Sequence, residues 1–172
     1  TGNGVWQSGP LMPQAIGEVA GGAIDGVLYM VGENASGTLA FDLATQTWQA
    51  LAARPYQGDH HSAETINGKL YLFGGLNGGE GKVQIFDPST NSWSLGTPSA
   101  LQTGSAATAY INGRVYMAGG ISGSGTVNMG AVYNPITNSW GAIASMPLGR
   151  NHAAAATDGK RLFVFGGRGP GS

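Results

Sequence analysis

The chain has no cysteine among its 172 residues. That excludes disulfide staples and thiolate metal centres, while leaving the cellular compartment open. Charged side chains are scarce as well, at 10%, against the roughly 25% usual in soluble domains. The surface must therefore be solvated by Ser, Thr, Asn, Gln and Gly. The 8 Lys and Arg nearly balance the 9 Asp and Glu, for a net charge of −1. There is no basic stripe, so nucleic acid is excluded as a partner. No apolar run is long enough to span a bilayer as a helix, and no membrane insertion is expected. A sparsely charged, Gly/Thr/Asn-rich chain is expected to be extracellular or displayed at a cell surface. What the chain does have is glycine, 31 residues of it, as tight turns and close strand packing require. The length suits one domain with a real core.

The glycines and tryptophans fall on a repeat. Gly74-Gly75, Gly119-Gly120 and Gly166-Gly167 each end an apolar run, and Gly32-Glu33 holds the same place earlier with its second glycine replaced. Trp6, Trp48, Trp93 and Trp140 recur with them, the last three spaced 45 and 47 residues apart. A period in the forties marks a repeat architecture. Each unit opens with small residues, as in Glu18 to Ile24, His61 to Ile66, Ala106 to Ile111 and His152 to Thr157. A turn pair follows: Asp25-Gly26, Asn67-Gly68, Asn112-Gly113 or Asp158-Gly159. Such pairs favour the positive φ angles of a hairpin turn. The next run is continuously apolar (Leu70-Tyr71-Leu72-Phe73 in the second unit) and fits a strand covered on both faces. The fourth unit carries one extra residue, Lys160 or Arg161, which predicts a three-residue loop or a bulge.

A third strand ends in an aromatic and a turn-former, Phe41-Asp42, Phe86-Asp87 or Tyr133-Asn134, with tryptophan six residues beyond the Asp or Asn each time. Four antiparallel strands joined by tight turns make a β-propeller blade. The expected fold is all-β. It has units at about 13–50, 51–95 and 96–142, an incomplete one at 143–172, and a closing strand at 5–9, in a single partial propeller domain over 1–172.

The pattern resembles the kelch repeat: Asn/Asp-Gly hairpin, apolar strand, Gly-Gly, Tyr/Phe-Asp, and Trp six residues on. By that resemblance each unit is one kelch blade, and the chain is an incomplete ring of about four. Kelch propellers usually have six or seven blades, so the chain is expected to be part of a longer propeller or to close by forming a homodimer. Open strand edges invite either remedy.

The densest polar cluster is Asp59-His60-His61, with Arg150-Asn151-His152 at the matching point of the fourth unit. Alignment on the hairpin turn pairs His61 with His152, and sets Ala106 and Val19 against them, with Glu18 just before. First strands line the channel of a propeller, so Glu18, Asp59, His60, His61, Arg150, Asn151 and His152 are candidate ligand-binding residues. Imidazoles beside a carboxylate suit a divalent metal or a sugar. The competing reading has these histidines satisfying blade backbone groups. It is the one adopted, with no metal, no cofactor and no catalytic residue assigned. The tryptophans are read as blade packing rather than as a sugar platform. The Gly74–Gly81 run follows a strand and opens no helix, so it lacks the dipole of a phosphate loop. It and Ser122 to Gly125 are read as flexible loops.

What the resemblance implies for function is a non-catalytic scaffold that holds a protein or glycan. The alternative is part of a sugar-acting enzyme, like the kelch propellers that mutarotate sialic acid. Radical copper oxidases of the kelch type need a cysteine cross-linked to tyrosine, which this sequence excludes.

Overall fold

A computed structural model describes residues 4–33 and 35–171, and among these there is no helix. The first blade comprises β1 (Ala20–Ile24), β2 (Val27–Val31), β3 (Thr38–Asp42) and β4 (Thr47–Leu51). The second comprises β5 (Ser62–Ile66), β6 (Lys69–Phe73), β7 (Val83–Asp87) and β8 (Ser92–Leu95). The third uses β9 (Ala107–Ile111) and β10 (Arg114–Ala118). A small hairpin follows, β11 (Ile121–Ser122) with β12 (Gly125–Thr126), and then β13 (Gly130–Asn134) and β14 (Ser139–Ile143) complete the blade. The last sheet has two strands, β15 (Ala154–Thr157) and β16 (Leu162–Phe165). Every pairing is antiparallel between consecutive strands, apart from the step from β10 to β13 across the inserted hairpin. The run Ser122 to Gly125, expected as a flexible loop, is therefore the turn of that hairpin, with Ser122 Oγ and Ser124 Oγ 2.9 Å apart.

Turn chemistry sets the registers. Asp25, Asn67 and Asn112 have φ of 48°, 50° and 49°, each followed by a left-handed glycine, the signature of type I′. The fourth hairpin differs from the expectation of an extra residue. Four residues separate the paired Thr157 and Leu162, as between Thr65 and Leu70. Asp158 simply sits one place early and accepts the backbone N–H groups of Lys160 and Arg161 at 2.9 and 2.8 Å. The outer turns follow the Asp/Asn rule: Asp42, Asp87 and Asn134 each accept a backbone N–H two residues on, at 2.8, 2.9 and 3.0 Å.

The core lies between blades. Val31, Leu70, Leu72 and Phe86 pack between the first and second, and Phe73, Val83, Val115, Met117 and Tyr133 between the second and third. Each such side chain contributes about 1.5–3 kcal/mol on burial. The second strands of the two middle blades are accordingly covered on both faces, whereas Phe163 and Phe165 of β16 stay 39% and 50% exposed. The tryptophans stitch neighbours together. Trp93 Nε1 donates to Ala52 O and Trp140 Nε1 to Thr97 O, in each case four residues past the preceding tryptophan. Trp48 Nε1 donates to Pro10 O at 3.2 Å, four residues past Trp6. The segment around Trp6 thus lies where the outer strand of a preceding blade belongs. Residues 5–9 form no strand within the chain, and Trp6 is 99% exposed.

The glycine doublets are required by position. Gly75 and Gly120 have φ of 123° and 105° and send their N–H groups to the next blade, to Thr103 O and Arg150 O at 3.0 and 2.7 Å. A Cβ on Gly119 would collide with Arg150 O. In the first blade, where Glu33 replaces the second glycine, its N–H turns back to Gly17 O at 3.0 Å. The crossing is made instead by Arg54, whose Nη2 donates to Gly32 O and Ala35 O, both at 2.9 Å, and to Gly58 O of the next unit at 2.6 Å.

Candidate functional site

The strand registers define which residues are equivalent around the axis. Ala20, Ser62, Ala107 and Ala154 lie opposite the last residue of each second strand: Val31, Phe73, Ala118 and Phe165. Two residues before them stand Glu18, His60, Ser105 and His152. All four adopt a left-handed backbone, with φ of 44°, 56°, 52° and 50°, a region that non-glycine residues seldom enter. The backbone links the last three in sequence round the axis, Ser105 N donating to His60 O at 2.7 Å and His152 N to Ser105 O at 3.1 Å. The residue equivalent to His152 is therefore His60 and not His61. Alignment on the Asp-Gly pair fails because that pair is displaced by one in the fourth hairpin.

These side chains gather at the mouth of a cavity of ≈ 430 Å³ between the inner strands. His60 Nε2 is 3.4 Å from Glu18 Oε2, and the His60 and His152 rings meet edge to face with centroids 5.0 Å apart. Each imidazole is braced from the residue before it. His60 Nδ1 lies 2.6 Å from Asp59 Oδ1, whose other oxygen accepts Asn77 Nδ2 at 2.8 Å. His152 Nδ1 lies 2.5 Å from Asn151 Oδ1, and Asn151 Nδ2 donates to Thr126 Oγ1. Ser105 Oγ is 3.2 Å from His152 Nε2. Burial works to raise Asp59, but the hydrogen bonds from Asn77 and His60 prevail and hold it below the ordinary carboxylate range. Burial lowers His152, with His60 and Arg168 adding to the effect. Deeper in the same cavity, burial raises Glu64 above its ordinary value, against hydrogen bonds from Thr108 and the Tyr110 backbone.

Of the residues expected from sequence, Glu18, Asp59, His60, Asn151 and His152 come together. His61 lines the cavity wall, but its Nδ1 bonds Gly74 O at 2.6 Å, and burial lowers its pKa. It alone fills the expected role of satisfying a backbone group. Arg150 turns away, donating from Nη1 to Gly166 O at 3.1 Å beside Leu148, Leu162 and Val164. Ser105 and Glu64 belong to the site and were missed. Aligning the units on their apolar strands rather than on their turns would have found Ser105.

Blades of four antiparallel strands, radially arranged with inner strands side by side, define a β-propeller segment. The chain belongs to the kelch-repeat family: the model of the KLHDC2/KLHL20/DRC7 Kelch-repeats domain matches residues 19–172. Among solved structures, that of YjhT superposes with a TM-score of 0.81 and 21% identity, over 91% of this chain and 58% of that one. The chain thus spans little more than half the length of that structure, and at this identity the likeness speaks for the fold alone. No curated protein matches the sequence.

Proposed function

We propose that the chain is a binding module that holds a protein or glycan ligand at the mouth of the inner cavity. The observation that carries this reading is the convergence of Glu18, His60 and His152 from three blades, with both imidazoles braced by Asp59 and Asn151. Side chains fixed in this way lose little rotamer freedom when a ligand arrives, which favours recognition. The test is a glycan-array and peptide-array screen of the chain beside its His152→Ala variant. Selective binding that the variant loses while keeping its thermal stability supports the reading. No selective signal on either array would sink it.

A second reading, part of a sugar-acting enzyme, is favoured by one observation. Glu64, raised by burial, and His152, lowered by it, line one cavity, as an acid and a base would. Interconversion of sialic acid anomers, followed by NMR with and without the chain, tests it. Acceleration lost in Glu64→Gln supports it, and an unchanged rate rejects it.

We further infer that the ring closes with strands beyond these four units, supplied by a second copy or by the rest of a longer chain. The bare β16 edge and the position of Trp6–Pro10 as the outer strand of an absent blade support this.

A further inference from the structure

We propose that Glu18, His60 and His152 hold one exchangeable divalent cation of the zinc type. One ligand atom from each lies within 4.8 Å of the other two. Asn151 donates its amide to Thr126 Oγ1, so its Oδ1 faces His152 and accepts the Nδ1 proton. Asp59, ionised and acceptor-only, takes the Nδ1 proton of His60 in the same way. Both rings are thereby set in the tautomer whose Nε2 carries a lone pair; that of His60 lies 3.4 Å from Glu18 Oε2, and that of His152 lies 3.2 Å from Ser105 Oγ. Carboxylate or amide bracing of the far ring nitrogen is how metal-binding histidines are oriented.

The donor set chooses the ion. Two imidazoles and one carboxylate suit Zn²⁺ and disfavour Ca²⁺ or Mg²⁺, which prefer all-oxygen cages. The 3.4 Å between His60 Nε2 and Glu18 Oε2 matches the edge of a tetrahedron with bonds of about 2.0–2.1 Å. His152 Nε2 closes the third corner once the Ser105 hydroxyl swings off it. Three protein ligands leave the fourth position open towards the cavity, for water or a ligand atom. All three ligands lie in loops on the axis, outside the inter-blade core, so the ion is not a structural one.

Chelator-treated, untagged chain is titrated with ZnCl₂ by calorimetry, and NMR follows the histidine ring nitrogens. One equivalent should bind, shifting His60 and His152 Nε2 and leaving His61 unmoved. Affinity should fall at least about tenfold in His152→Ala and in Glu18→Gln, two exposed positions where the fold does not depend on the side chain. Absence of stoichiometric binding, affinity undiminished in either variant, or a shift confined to His61 would overturn the site. The readout is metal alone, so this proposal and the ligand-binding one can fail separately.

Discussion

At the scale of single residues, Arg54 is the most consequential side chain outside the site. It is 3% exposed and pairs with no carboxylate among the described residues, and its Nε and Nη2 donate to four backbone carbonyls, of Tyr56 and of Gly32, Ala35 and Gly58, while Nη1 is buried without a partner there. Burial lowers its pKa, yet a guanidinium stays charged, and charge-assisted bonds offset its desolvation. It stands in for the glycine N–H that crosses between the later blades. Arg54→Ala should cost about 3 kcal/mol by urea denaturation, because buried carbonyls lose their donor. Glu33→Gly should restore the backbone crossing and reduce that cost, giving a measurable coupling in a double-mutant cycle. Strict additivity would show that the two positions do not substitute for one another.

Among the elements, the outer hairpins contribute to the pH response, beside Asp59 and Asp158, which are also held low. Asp87 is held at about 2, first by the hydrogen bond from Lys69 and then by Ser89. Asp42 is lowered by the Thr45 and Ala44 backbone. Carboxyls depressed in the folded state stabilise it fully above their unfolded values and lose that contribution as pH falls from about 4 towards 2. The urea midpoint should drop across that window, and Asp87→Asn should flatten part of the drop. An unchanged slope in the variant would remove Asp87 from the account. The hairpins, inner and outer, were also what the sequence made legible. Asn-Gly, Tyr/Phe-Asp and Trp each answer to a local backbone demand, so blade strands could be placed to within a residue or two. The site was less legible. Whether His60 or His61 faces the axis depends on a one-residue register, set by the strand pairing and masked by the displaced Asp158-Gly159. Arg150 bears the right charge for the cluster, yet its direction follows from Gly166 O, a contact sixteen residues away within the same unit that no local pattern encodes. The role of Arg54 depends on a substitution twenty-one residues away at Glu33.

For the whole molecule, the unfinished ring decides behaviour in solution. β16 presents Phe163 and Phe165 bare, and Trp6 is wholly exposed. If a second copy completes a ring of about eight blades, light scattering at micromolar concentration should give twice the mass of one chain, and deletion of residues 5–9 should lower it. A compact species of single mass, indifferent to the deletion, would reject closure between copies. The ring has a further consequence, carried by the left-handed positions at Glu18, His60, Ser105 and His152. Each blade offers one seat on the axis whose side chain lines the inner cavity, and the seats at His60, Ser105 and His152 are joined to one another by backbone bonds. The seats are separately addressable. Ser105→His would set a third imidazole beside the existing two without disturbing a single packed layer. The scaffold is in this sense a keyboard: what it recognises can be rewritten one blade at a time, while what makes it fold is left alone.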